Sequence, residues 1–167
     1  MKQILKIIKL ALQVLCAVTL CMLVVILAVQ IVNRNLVGHS FIWVEELAGI
    51  GMIYLTFLGS ALATLNNSNT RIDFFIRLLP EKGMRIVNII SYLLSIGFLG
   101  ILAKYTFRGI RNNVSNLTPA MKLPVSVEYA GMFLGIVLMI IFSVIQIGIE
   151  VEQIKGKDVS EILEAVK

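Results

Sequence analysis

Two carboxylates stand side by side at Glu45 and Glu46, and directly after them the chain runs without a charge from residue 47 to residue 70. Paired acids can serve general acid–base chemistry only when both reach one substrate atom. As neighbours on a helix these two diverge by about 100°, which makes them poor partners in such a dyad. Cys16 and Cys21 lie in another uncharged run and, five residues apart on a helix, face roughly 140° away from each other. They can close neither a local disulfide nor a metal clamp and read as small hydrophobes. The single histidine, His39, leaves haem and zinc short of ligands. No nucleophile with a matched base, no glycine-rich phosphate loop and no CxxC pair occurs. The sequence therefore predicts no enzyme, no catalytic residue, no metal and no cofactor. Its reactive groups must be judged by what they hold in place.

The elements that carry them are set by hydrophobicity. Of the 167 residues 58% are hydrophobic and only 15% charged, and the mean hydropathy is +0.92. Soluble domains carry about a quarter charged residues. Four charge-free runs cover residues 10–33, 47–70, 86–103 and 129–149. A helix rises about 1.5 Å per residue, so each run suits a hydrocarbon layer of ~30 Å. The expected fold is an all-α integral membrane protein, one unit over 1–167, with spans near 10–32, 43–65, 84–107 and 127–149. Lys2, Lys6 and Lys9 precede the first span, but its apolar run exceeds a signal-peptide core and no cleavage site closes it. It is read as a retained anchor. The formal charge of +5 is explained by loop cations that fix topology, and nucleic acid is not an expected partner.

Orientation follows from where those cations fall. With both termini cytoplasmic, ten of the fifteen Lys and Arg lie inside, and Arg34, Lys104, Arg108, Arg111 and Lys122 lie outside. The positive-inside bias favours that arrangement. Trp43, Tyr105 and Tyr129 then share the outer interface, where amphipathic rings collect.

The second span, from Trp43 to Leu65, is the expected organiser. On a helical wheel Ala48, Gly51, Gly59 and Ala63 share one side, with Glu45 at its edge and Glu46 about a quarter-turn away. Small residues let backbones approach closely in lipid, where dispersion and hydrogen bonds drive association. Gly131 and Gly135 in the fourth span form a GxxxG spacing of the same kind, which more often serves internal packing. The subunit-interface candidates are thus Arg34, Trp43, Glu45, Glu46, Ala48, Gly51, Gly59, Ala63, Gly131 and Gly135. Glu45 is expected to need a donor at a packed helix end and Glu46 to remain in water or headgroups. Arg34 could pair with Glu45, for about 0–1 kcal/mol at an exposed end.

The remaining segments read as surface features. MKQILKIIKL is either an interfacial lead-in or a helix end whose lysines snorkel. In RIDFFIRLLP, residues 71–80, the helical period of Ile72, Phe75, Ile76 and Leu79 predicts a short amphipathic helix on the inner surface; a loop against a soluble partner is the alternative. Asn88, Ser91 and Ser95 make a polar seam on the third span. The loop holding Pro119 and Pro124 is the largest outer feature. Ser126 is the expected cap of the fourth span, with Glu128 in its first turn. Val159, Ile162, Leu163 and Val166 suggest another short amphipathic helix after Glu150. No charged residue lies deep in a span, whereas ion-coupled transporters keep an acid or base there.

Taken in order, four stretches resemble a known family. Arg34, Gly38 and Trp43-Val-Glu45-Glu46-Leu47 are similar to the R…G…W-x-E-E-hydrophobic pattern of the small membrane subunit, the DctQ type, of tripartite ATP-independent periplasmic (TRAP) transporters. Phe57-Leu58-Gly59-Ser60-Ala61 resembles that family's F-L-G-small-A, Asp73 through Leu79-Pro80 its V-D…L-P, and Leu123-Pro124 its proline entry. Arg71 departs from a common histidine. The resemblance implies a multi-pass protein of the bacterial inner membrane and an accessory subunit of a sodium-coupled importer. It implies a large permease subunit and a periplasmic binding protein as partners, beside membrane lipid. It implies organic acids, such as sialic acid or C4-dicarboxylates, as substrates. A self-contained four-helix exporter working as a homodimer is the alternative, and would need an embedded carboxylate. A quinone-linked thiol oxidase would need cysteine pairs in its outer loops.

Overall fold

The computed structural model describes residues 2–38, 41–66 and 81–154. The amphipathic segment expected at 71–79, His39 and the expected tail helix lie outside those residues. The described chain forms four helices: α1 (Lys2–Val37), α2 (Ile42–Leu65), α3 (Glu81–Asn112) and α4 (Ser126–Ile154). All four are long and apolar enough to cross a membrane. Among the described residues the extended backbone pairing is one isolated bridge, Leu117 with Pro124.

The helices outrun the charge-free stretches. α1 is 36 residues long and takes the lysine-bearing lead-in into the same helix; α4 continues through Glu150 and Glu152. The reason is that helix formation needs only backbone pairing, whereas apolarity is needed only across the hydrocarbon. α1 ends at Gly38, whose φ of 75° is open to glycine, and whose N–H donates to the Arg34 carbonyl at 3.2 Å. This is the left-handed cap that releases a helix into a tight turn.

Substantial packing joins α1 to α2, α2 to α4 and α4 to α3, so the spatial order is α1–α2–α4–α3. α2 is therefore not the sole organiser expected from the sequence; it shares the centre with α4. The core at this centre joins Leu12 of α1, Leu58, Ala61 and Leu65 of α2, and Phe142 and Ile149 of α4, with Tyr54, Leu62 and Met139 against it. Ala61, Leu65 and Ile136 have no exposed surface.

The α2–α4 crossing is close because of two glycines. A Cβ on Gly131 would meet the Tyr54 ring at 2.5–2.7 Å, and one on Gly135 would meet the Phe57 carbonyl carbon and oxygen at 2.8 and 2.9 Å. The Tyr54 hydroxyl donates to the Val127 carbonyl at 3.0 Å. Bulk on α2 thus enters the notch that α4 leaves. α1 meets α2 in the same manner, Leu23 lying where a Gly51 side chain would be.

Candidate functional site

Polar groups cluster at the two ends of the bundle. At the end holding the 113–125 loop, the Gln30 side chain pairs with the backbone of Phe41: its Nε2 donates to the Phe41 carbonyl at 3.2 Å and its Oε1 accepts from the Phe41 N–H at 3.3 Å. That pair clamps the α1–α2 connection. Beside it Phe41 and Trp43 lie with ring centroids 6.1 Å apart.

Of the two adjacent acids, the one held within the chain is Glu46. Its two oxygens accept from the backbone N–H groups of Ala120 and Met121 at 2.7 and 2.8 Å. The loop is shaped to present those groups. Thr118 N–H donates to the Leu123 carbonyl at 2.8 Å and Val125 N–H to the Asn116 carbonyl at 2.8 Å, while Thr118 Oγ1 accepts from Leu123 N–H at 3.1 Å. Lys122 takes a left-handed φ of 56° to close the turn. Glu45 is exposed, and no ion pair joins it to the exposed Arg34 among the described residues. The expected roles of the two acids are reversed: Glu45, expected to need a donor at a packed helix end, is exposed, and Glu46, expected in water, is held by a distant loop that a helical wheel cannot show.

At the opposite end a second knot forms. Glu150, 7% exposed, accepts from Asn88 Nδ2 at 2.8 Å and faces Arg85 Nη1 at 3.5 Å. Arg85 also donates to Gln153 Oε1. Gln146 Nε2 donates to the Leu65 carbonyl at 2.7 Å and toward that of Thr64 at 3.4 Å, satisfying carbonyls that a helix C-terminus leaves unpaired. Sequence reasoning misses Gln30, Gln146 and Glu150. Arg85 and Glu150 are, however, the first charges beyond the apolar runs of two antiparallel helices, and that is the signal by which their pairing could be found.

Between α2 and α3, with α4 as floor, lies a groove of about 460 Å³ lined in part by Ser60, Thr64, Tyr92, Ser95 and Ser143. Two of its hydroxyls bond back to their own helices: Thr64 donates to the Ser60 carbonyl at 2.9 Å and Ser95 to that of Ser91 at 2.8 Å. The expected polar seam of α3 therefore splits. Asn88 reaches across to α4, whereas Ser91 and Ser95 bond back to their own helix.

The residues singled out from the sequence fall into two sets. Ala48 is buried, Gly51 faces Leu23, and Gly131 and Gly135 are taken up by Tyr54 and Phe57. Arg34, Trp43 and Glu45 are exposed, Gly59 has open space where a side chain would be, and Ala63 is half-buried. The arrangement ties helices together at both ends and leaves broad apolar surface between them.

Residues 22–151 match the family model of tripartite ATP-independent periplasmic transporters, DctQ component. The chain is similar to the sialic acid TRAP transporter permease protein SiaT of Haemophilus influenzae strain 86-028NP, 36% identical over 69 residues, which is 41% of this chain and 11% of that protein. It is 24% identical over 129 residues to a putative TRAP transporter small permease protein of Haemophilus influenzae strain Rd, covering 77% of this chain and 80% of the relative. It is 35% identical over 83 residues to the sialic acid TRAP transporter small permease protein SiaQ of Vibrio cholerae, 48% of each. The chain thus spans a small part of SiaT and about half of SiaQ.

Proposed function

The chain belongs to the DctQ component family of the tripartite ATP-independent periplasmic transporters, and we propose that it acts there as a scaffold against which a large permease subunit packs. As the small permease component it is a multi-pass inner-membrane protein. The observation that carries the scaffold reading is how its polar groups are spent. Glu46, Gln30, Gln146, Asn88 and the Arg85–Glu150 pair all bond to other parts of this chain at the bundle ends. The uncharged runs between contain no Asp, Glu, Lys, Arg or His that could bind an ion at mid-depth. Sodium coupling and the substrate site belong, on this reading, to the large subunit, with a periplasmic binding protein delivering the substrate. The names of SiaT and SiaQ favour a carboxylate such as sialic acid as the transported class.

The partner face includes Arg34, Trp43, Glu45, Gly59 and Ala63, which retain room for contact, rather than Gly131 and Gly135, which are used internally. Proteoliposomes holding this chain and the binding protein should show no sodium-driven uptake of sialic acid, and uptake should appear when the large subunit is added. Uptake without the large subunit refutes the scaffold role.

Both termini are placed in the cytoplasm on the charge distribution. Cysteines at Asn35 and Ser115 should then react with an impermeant thiol reagent added to the periplasmic side, in a background where Cys16 and Cys21 are replaced. A cysteine at Gly156 should not, and labelling of that site alone inverts the topology.

A further inference from the structure

One face of α3 carries three cations above a bare apolar stripe. Lys104, Arg108 and Arg111 lie within an arc of about 60° on the helix, at successive turns. All three are exposed, and no ion pair ties them to a carboxylate among the described residues. With Phe107 and Asn112 they line an open depression of about 560 Å³. Phe107 leans on Phe133 of α4, ring centroids 5.7 Å apart, which fixes the end of α3 that presents the cations. Below them on the same arc come Ile101, Leu93, Ile90 and Ile86, each more than half exposed. Gly100 and Gly97 stand between, with open space at both. The side of α3 packed on α4 is the opposite one, where Asn88, Tyr92 and Thr106 are buried.

The depth is that of a headgroup. Arg85 and Lys104 enclose 18 uncharged residues, about 27–28 Å of helix, so Lys104 stands where the hydrocarbon ends, and Arg108 and Arg111 rise through the headgroup layer. Tyr105 is beside them, 61% exposed, as interfacial aromatics are.

We propose that Lys104, Arg108 and Arg111 bind the phosphodiester headgroup of an anionic phospholipid, whose acyl chains lie along the apolar stripe of α3 that holds Gly97 and Gly100. A guanidinium offers paired N–H donors to phosphate oxygens, and a lysine adds a point charge. A free carboxylate or phosphate would use the cations but not the apolar stripe. An acidic transmembrane helix would use both, but the cations sit at the layer where lipid phosphates are densest. The proposal depends on α3 crossing the membrane, not on the transport reading or on which end is cytoplasmic.

The test is native mass spectrometry of the full chain in detergent, titrated with phosphatidylglycerol, phosphatidylcholine or inorganic phosphate. One phosphatidylglycerol should be retained per chain, with a preference over phosphatidylcholine of at least about ten-fold, since each cation near a charged lipid surface contributes about a five-fold factor. The triple variant Lys104→Gln/Arg108→Gln/Arg111→Gln, whose positions are exposed and whose helix content is checked by circular dichroism, should lose that preference. Equal retention of both lipids by the unaltered protein overturns the proposal, and so does a triple variant that keeps the preference. Displacement of the lipid by inorganic phosphate at comparable concentration would mean an anion site only and overturns it too. A variant that keeps the lipid preference but no longer co-purifies with the large subunit would make this face a protein dock instead.

Discussion

Gly135→Val is expected to unseat α4 from α2. The obstacle to a side chain here is the Phe57 backbone itself, at 2.8 and 2.9 Å from the position of a Cβ, and backbone cannot turn aside as a side-chain tip can. Overpacking a tight contact costs typically about 1–3 kcal/mol; a β-branched residue against a carbonyl belongs at the upper end. The loss should be larger because this crossing also seats Tyr54 on Gly131 and the core at Ala61 and Phe142. Gly148→Val is the control, since nothing lies within 4 Å of a Cβ at that glycine of the same helix. Thermal unfolding in a fixed detergent should separate the two variants clearly. Equal stability would show that α2 and α4 do not approach so closely.

Arg85→Leu is expected to destabilise the protein by about 3–5 kcal/mol, the usual cost of stranding one member of a buried ion pair. The Glu150 side chain is 10% exposed and that of Arg85 25%, so the acid has little water to fall back on. Asn88 would remain its donor but supplies no charge. Adding Glu150→Gln to Arg85→Leu should recover more than half of the loss, because the amide keeps a partner in Asn88 and carries no net charge. The check is a double-mutant cycle by reversible unfolding in mixed micelles. If the double variant is as unstable as the sum of the singles, the pair is not coupled and Arg85 matters through its packing and its bond to Gln153.

The four helices are legible in the sequence because charge is expensive in hydrocarbon, so its absence over 18–24 residues marks a span. The small residues are legible as a means of close approach, and Gly131 with Gly135 does that work. What a wheel cannot supply is the neighbour. Ala48, Gly51, Gly59 and Ala63 share a side of α2, yet Gly51 faces Leu23 while Gly59 faces open space, because the helix beside one stretch is not the helix beside the next. The large residues Tyr54 and Phe57 form the gripping side instead. Glu46 departs from its expected place in water for a related reason: its donors, Ala120 and Met121, lie 74 and 75 positions away, and nothing local to Glu46 records them. Gln30 and Gln146 look incidental in the sequence, although a buried amide in a span must be paired.

The neighbour order α1–α2–α4–α3 has a mechanical meaning. The strong seams form a line and not a ring, so each outer helix is attached along one side. Along the strong seams a push delivered to α1 by lipid or by another subunit reaches α3 through the Leu23–Gly51, Phe57–Gly135 and Tyr129–Gly109 contacts in series. Compliance adds along such a series, and the softest joint sets how much displacement arrives. The two edges can therefore drift nearly independently, each following its own surroundings, while the α2–α4 pair keeps a fixed frame between them.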